Sequence, residues 1–502
     1  MTAEAVDRAS VGLRSERGPV LGAIMLTTSL IALDSTVIAT AVPTVVRDLG
    51  GFSQFPWLFS VYLLTQAVTV PIYGKLSDLL GRKPILFFGV AVFVASSMLC
   101  GFAWSMTTLI VARALQGVGA GAIMPMGMTI IGDLYTVAER AKVQGYIASV
   151  WGISSVLGPT MGGLFSEYVS WRWIFFINLP LGLLALVTLQ RRFSEQVAKR
   201  AHRIDYLGAS LLTVGCSLLI LGLLEGGTAW AWRSATSAVV LGIAAVALVA
   251  FVQVERRAPE PVLPLWVFRR RVTVGANLVS MLVGALLIGL SSYIPTYVQG
   301  VLGTGAVEAG FVLGALTIGW PIAASQAGKV YLRIGFRDTA LIGIALAVAG
   351  ATWTAMLVQS APVLEVAAAM FVTGLGMGLS SSPIVVAVQS VVGWERRGVV
   401  TGTNMFFRSM GSAVGAAAFG AIANATLVHR YSTAPAGIHV TDTDVDATTR
   451  YLAMPGPVAD FARGALYSAS HHVFIALAVA TALTAGAIAL IPRTTTELEF
   501  PD

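Results

Sequence analysis

Charge is scarce in this chain. Of its 502 residues only 11% are Asp, Glu, Lys or Arg, while 56% are hydrophobic. A soluble protein carries roughly a quarter charged residues, so the shortfall excludes a water-soluble globule and makes lipid the solvent for most of the chain. Cysteine is scarce too. Cys100 and Cys216 lie far apart inside apolar runs, which fits two small buried hydrophobes and excludes a disulfide framework or a cysteine metal site. No P-loop, H-E-x-x-H or nucleophile elbow occurs, so the sequence offers no ATP-driven step and no enzyme chemistry. We expect no metal, no cofactor and no ATP. Short alternating strands are also missing, which excludes a β-barrel.

What fills the chain is long apolar runs. A spanning helix needs roughly 20 mostly apolar residues. Fourteen runs qualify, near 19–41, 54–74, 85–104, 106–127, 145–165, 172–192, 205–225, 235–254, 273–294, 307–327, 339–358, 363–386, 398–423 and 471–491. The run from Pro19 has no A-x-A-like cleavage site and reads as an uncleaved first span. The formal charge of +7 comes from basic clusters between the runs, which points to a membrane surface and not to nucleic acid. With the N-terminus inside, 24 of the 32 Lys and Arg fall on the inner side and 6 outside. That bias predicts both termini in the cytoplasm of a multi-pass protein of the cytoplasmic (inner) membrane. The longest outer loop is expected over 424–470. Its acidic run "TDTDVDATT" lacks the spacing and closing Glu of an EF-hand and reads as a solvated loop.

The chain repeats itself. "GKLSDLLGRK" (74–83) follows the second run and "GKVYLRIGFR" (328–337) the tenth. "GVGAGAIMP" and "GLGMGLSSSP" form a second pair, each followed by Glu-Arg at 139–140 and 395–396. Two six-helix halves, 1–192 and 259–502, with two linker helices over 193–258, account for this spacing. Transporters are often built so, with the substrate at the interface of the repeats.

Taken with these motifs, the chain resembles the major facilitator superfamily over nearly its full length. "GKLSDLLGRKP" is similar to that superfamily's loop between helices two and three, with Leu79 where a basic residue is usual. The resemblance makes Gly74, Asp78, Gly81, Arg82 and Asp133 a cytoplasmic gate: Asp78 would meet the N-terminal end of a helix from the second half, and Arg82 would pair with Asp133. "LIVARALQGVGAG" is similar to the fourth-helix motif centred on Arg113. "GISSVLGPTMGG" is similar to the fifth-helix antiporter motif, here Gly152, Gly158, Pro159, Gly162 and Gly163, and argues against a nutrient symporter. "LDSTVIATAVP", "WRWIFFINLPLG" and "PEPVLPLWVFRRR" look like the fourteen-helix branch of drug:proton antiporters.

Asp34 stands in the first run, where a charge costs roughly 2.5–3.5 kcal/mol on insertion scales. Such residues face a cavity and serve transport, or hold helices together. Thr27, Thr28 and Ser35 are expected on its polar face. A carboxylate that alternates between a dry and a hydrated or cation-paired setting can take up and release a proton. Arg113 stays charged and cannot carry the proton. It can tune a nearby carboxylate, hold water, or bond backbone carbonyls, and Gln116 and Gly117 share its face. Arg408 reads as structural or gating, one turn beyond Asn404. Pro159 and its glycines are expected to bend the fifth helix. Candidate cavity residues are Tyr62, Gln66, Met124, Met126, Tyr146, Trp151, Trp320, Asn404, Phe406, Phe407 and Arg408.

These residues imply a secondary active transporter, driven by the proton gradient, exporting amphipathic small molecules. Export of envelope lipids or glycolipids is the alternative. The tenth run carries no acid within 310–328, so neutral, monocationic or lipid-like substrates are expected and dications are expected to be handled poorly.

Overall fold

A computed structural model describes residues 11–50, 54, 57–195, 205–227, 230–435, 448, 451–452, 454 and 456–494. Backbone N–H and C=O groups have no water to bond in a bilayer, so helices satisfy them internally. Among the described residues, fourteen long helices result. The first half holds α1 (Gly18–Leu49), α2 (Trp57–Leu80), α3 (Arg82–Gly101), α4 (Met106–Leu134), α5 (Val137–Leu164) and α6 (Trp173–Arg192). The linkers are α7 (Tyr206–Glu225) and α8 (Ala235–Glu255). The second half holds α9 (Arg271–Thr296), α10 (Ala306–Ile334), α11 (Phe336–Ala355), α12 (Val363–Ser390), α13 (Arg397–Ser432) and α14 (Pro457–Ala489). All but α5 contain a window long and apolar enough to cross a membrane.

The element boundaries correct the sequence reading in two places. The segment 424–470 is not one long loop, because α13 runs on to Ser432 and α14 begins at Pro457. Both extensions carry charged or polar residues such as Arg430 and Asp460, which an apolar-run criterion ends on too early. The acidic run 441–449, Thr448 apart, lies outside the described residues. The sixth span is interrupted at Ile177, between Trp173–Phe176 and Asn178–Arg192.

The two halves pack alike. α1 packs on α5 as α9 packs on α13, α2 on α4 as α10 on α12, and α3 on α4 as α11 on α12. The repeated glycine motifs are the reason. In α4, Gly117 and Gly121 lie against Tyr62, Thr65 and Thr69 of α2, while Gly119 lies against Gly89 and Phe93 of α3. In α12, Gly374 and Gly378 lie against Leu316 and Trp320 of α10, while Gly376 lies against Gly343 and Ala347 of α11. Spacing of four returns a helix to one neighbour and spacing of two turns it toward another. With no side chain between them, the backbones approach closely, which is how helices associate where lipid is as apolar as the side chains. The repeat 74–83 and 328–337 also has a fixed geometry. Gly81 and Gly335 end α2 and α10 with φ of 96° and 88°, a backbone region that favours glycine.

The halves touch along α2–α13 and α5–α10. Contact is close at the face that carries Arg17, Arg82, Lys142 and Arg397, here termed the basic face. Gly74 of α2 lies on Gly398 and Gly402 of α13, again backbone on backbone. On the other pair, the Tyr331 hydroxyl donates to the Val137 carbonyl at 2.9 Å, and Gly145 faces Ser325. Two turns further along α5, Gly152 faces Thr317 and Pro321. Beyond that level the same stripes continue as Gly163 on α5 and Gly314 and Gly310 on α10, and none has a neighbour where a Cβ would stand. The molecule is therefore closed at the basic face and parted toward the opposite one.

Gly119→Ala should lower the thermal unfolding midpoint, since its Cβ meets immovable backbone of α3 and overpacking costs about 1–3 kcal/mol. Gly163→Ala, with open space around it, should leave the midpoint unchanged or raise it slightly through helix propensity. Thermal unfolding in detergent of the two variants beside the parent checks both.

Candidate functional site

Asp34 lies near the middle of α1 and is buried with its partner Arg113 of α4. Their side chains are ion-paired at 2.5 Å. Gln116, one turn along α4, donates to the other Asp34 oxygen at 2.9 Å and to the Ser97 hydroxyl of α3 at 2.8 Å. Its own carbonyl oxygen accepts from Arg113 at 2.7 Å. Arg113 also donates to the Leu58 carbonyl of α2 at 3.1 Å and stacks over the Tyr62 ring at 4.2 Å. Asn178 of α6 extends the network to Ser97 at 3.2 Å. Five of the six helices of the first half thus meet at one buried ion pair. Thr27, Thr28 and Ser35 do not share in it, because their hydroxyls bond carbonyls of Ile24 and Ala32 in their own helix. The expectation of an Asp34 facing an open cavity is corrected: in this state it is enclosed and charge-paired.

A second charged cluster sits where the halves close. Asp78, in the last turn of α2, accepts from the backbone N–H groups of Gly398 and Val399, both at 2.8 Å. These are free donors in the first turn of α13, at the positive end of its dipole, so a carboxylate is stabilised there. Arg82 is fully buried and pairs with Asp78 at 2.9 Å and Asp133 at 3.0 Å. It also donates to the Trp394 carbonyl at 2.5 Å and stacks on the Trp394 ring at 3.8 Å. Arg397 reaches back from α13 to Asp133 at 3.0 Å and to the Gly132 carbonyl at 2.9 Å. Gln389 of α12 donates to the Met128 carbonyl at 3.1 Å. Gly74 and Gly81 supply the close approach and the turn described above. Leu79, the departure from the usual motif, is buried, and the second cation of the cluster comes from Arg397 in the other half.

With this arrangement in place, comparison with known proteins decides the family. The family model described as Major Facilitator Superfamily matches residues 24–199 and 187–416. The chain belongs to the major facilitator superfamily. It is 36% identical over 414 residues to the multidrug transporter protein MdtP of Bacillus subtilis, covering 82% of this chain and 76% of that protein. It is 34% identical over 433 residues to multidrug resistance protein 3 of the same organism, covering 86% and 84%. The efflux pump dotC of Dothistroma septosporum is 31% identical over 497 residues, covering 95% and 84%. Among solved structures, the human organic anion transporter MFSD10 superposes with a TM-score of 0.64 at 14% identity, covering 94% of this chain and 99% of that one, a likeness of fold alone. As a member of this superfamily the chain is a membrane transporter and not an enzyme.

The fifth-helix motif of the superfamily member has a local explanation. Gly158 lies on Thr36 of α1, whose hydroxyl donates to the Ser154 carbonyl of α5 at 3.1 Å. Gly162 is buried in the same helix, Gly152 faces α10, and the Pro159 side chain lies outside the described residues. The α5 helix continues unbroken through the motif to Leu164, and the wide turn comes after it, as a π-helical segment at Phe165–Val169.

The candidate cavity residues separate. Trp320 and Arg408 meet, with the guanidinium 5.4 Å from the ring centre. Gln66, Met124 and Trp151 are half-buried within the first half. Tyr62 and Met126 are buried in that half's core, and Tyr146 turns its hydroxyl toward Gly12 at the basic face. Asn404 is a packing residue: it accepts from Ser280 at 2.8 Å and donates to the Ala276 carbonyl at 3.0 Å, tying α13 to α9. Phe406 is buried among Ala67, Val68 and Val70 of α2, and Phe407 turns toward the linker helices, against Phe268. Helical spacing along α13 is the same for all these neighbours, so sequence could not assign the faces.

Removing one member of a buried ion pair strands the other at about 3–5 kcal/mol. Asp34→Asn and Arg113→Gln should each lower the unfolding midpoint clearly, and the double variant should recover part of the loss. Additive losses in a thermal double-mutant cycle would contradict the pairing.

Asp78→Ala removes two charge-assisted backbone bonds and a partner of Arg82. Such bonds contribute about 1.5–3 kcal/mol each, so a cysteine at Ser325, facing Gly145 at the closed face, should react about tenfold faster or more with a water-soluble maleimide. An unchanged rate would show that Asp78 does not hold the face shut.

Proposed function

We propose that this transporter exports amphipathic small molecules across the cytoplasmic membrane in exchange for protons. The single observation that carries the reading is the Asp34–Arg113 pair, a titratable carboxylate held in the membrane interior with its counter-charge. The relatives named for multidrug transport and for efflux support this substrate class and direction. The basic face is the cytoplasmic one by the excess of Lys and Arg there, with both chain ends inside.

The chemistry follows from charge balance. In the latched state, open away from the basic face, Asp34 is ionised and neutralises Arg113. A proton reaching Asp34 from the outer cleft cancels its charge and leaves the guanidinium unbalanced in a low-dielectric site. Arg113 must then move toward water or another acceptor, and it moves with α4. The far end of α4 carries Asp133, which holds Arg82 and Arg397 in the latch. Protonation of Asp34 thereby loosens the closed face and permits the inward-facing state. There the proton leaves to the cytoplasm, substrate enters, and the re-formed pair returns the molecule outward. Each cycle exchanges proton for substrate without ATP, and the coupling is the reciprocity of two binding equilibria.

Export of envelope lipids is a second reading, favoured by one observation. An apolar groove of about 490 Å³ lies between α7, α8 and α13, lined by Cys216, Phe251 and Phe407, with Arg256 and Arg269 at its rim. Lipid could reach the transporter through it, with a headgroup at the arginines.

In inside-out vesicles, acidifying the interior should drive uptake of amphipathic dyes, and a protonophore should abolish it. Asp34→Asn should remove the pH-driven component by about tenfold or more while binding of the dye to the purified protein persists. Uptake indifferent to the pH gradient would refute proton coupling, and flipping of labelled phospholipid with no dye uptake would favour the lipid reading.

A further inference from the structure

Resting on the export reading, we infer that the transported compounds carry a negative charge, and that Arg408 and Trp320 form the site that receives it. Arg408 projects from α13 and lies over the Trp320 ring of α10. These two helices do not pack side by side: α13 stands against α2 and α10 against α5, at opposite flanks of the second half. The side chain that joins them therefore crosses the space between the flanks. Trp320 is adjacent to Pro321, which faces Gly152 at the last level where α5 and α10 touch. The pair stands at the floor of the cleft, where the halves begin to part.

Arg408 is half-buried, and among the described residues no carboxylate or hydrogen-bond acceptor meets its guanidinium. That sets it apart from the other buried arginines. Arg82 and Arg113 are each held by a carboxylate and by backbone carbonyls, and Arg140 donates to the Tyr135 and Gly132 carbonyls. The acids on the helices that flank the cleft are engaged elsewhere or remote. Asp34 is paired to Arg113, Asp78 and Asp133 belong to the latch, and Glu139 is paired to Arg17. Glu308 and Glu365 stand in the first turns of α10 and α12, and Asp48 in the last turn of α1, all at the parted end. The α9 and α13 helices contain no acid.

A guanidinium held near low-dielectric walls attracts an anion far more strongly than one in open water, and it binds carboxylate, sulfonate or phosphate oxygens in a planar fork. Trp320 beneath it offers a flat apolar surface for the ring of an amphipathic acid and stabilises the guanidinium in the absence of one. Because Arg cannot be neutralised, the charge is permanent and repels cations from the same place. In place of the expected neutral, monocationic or lipid-like substrates this site favours monoanionic ones, and poor handling of dications follows from the same charge.

The test is equilibrium binding to the full chain in detergent, with three probes of matched size: a naphthylalkanoate, its methyl ester and the corresponding naphthylalkyl trimethylammonium. The parent should bind the carboxylate about tenfold or more tightly than the ester, and the ammonium weakest. Arg408→Gln should erase the preference between acid and ester while leaving ester affinity within about twofold, and Arg408→Lys should retain most of it. Equal binding of acid and ester, stronger binding of the ammonium, absence of binding by all three, or an equal loss of all three in Arg408→Gln would each overturn the inference. Transport of the same probes in vesicles separates the two claims. A carboxylate preference in binding with no transport of any probe would count against the export reading and leave the anion site standing.

Discussion

A charge can remain inside a membrane protein only where another charge, a dipole or water balances it. That constraint organises this molecule. Asp34 and Arg113 balance each other in the core of the first half. Asp78 is balanced by the free N–H groups opening α13, and Arg82, Asp133 and Arg397 form a chain of alternating sign across the two halves. Arg408 lies over the Trp320 ring, and among the described residues no acid meets it. The first group can change its balance by a proton, the second by separating the halves, and the third by binding a solute. Transport in this account is the linking of these three changes through α4 and α13.

Glycine supplies the mechanical side. The repeated motifs place bare backbone where helices within a half must hold together, and Gly74, Gly398 and Gly402 place it where the halves close. Contacts of this kind are short in reach. They are strong when the backbones meet and vanish when they part by a few ångströms, which suits a joint that must be either shut or open. The polar bonds at the basic face select the shut arrangement, and the empty stripe of Gly163, Gly310 and Gly314 on the other side leaves room for the reverse movement.

Much of this was legible in the sequence. The apolar runs located the helices, and the Gly-rich repeats exposed the two halves. Asp34 and Arg113 stood out because charge is costly in such surroundings, and Asp78 and Arg82 through the resemblance of their loop motif. The partnership of Asp34 with Arg113, 79 positions apart, was not legible, because two intramembrane charges on different helices can face the same pocket or opposite sides. Gln116 was noted only as sharing a face with Arg113, yet it bonds both members of the pair. Arg397, Gly398 and Val399 were missed. The neighbouring Glu-Arg was read as a repeat marker, although an arginine opening a helix opposite an acidic motif was an available signal. Phe406 and Phe407 were assigned to the cavity as aromatic lining and Asn404 as a polar residue one turn from Arg408, and only packing shows that each faces a different neighbour.

The central claim is that the charge state of Asp34 governs the closed basic face. The direct measurement is the distance between spin labels at Lys142 and Lys329, exposed positions at the basic ends of α5 and α10, as a function of pH. In the parent the distance should lengthen on acidification, as protonation of Asp34 frees Arg113 and the latch. In Asp34→Asn, which carries no titratable group there, the long distance should persist at every pH. A pH response in Asp34→Asn equal to that of the parent would contradict the account.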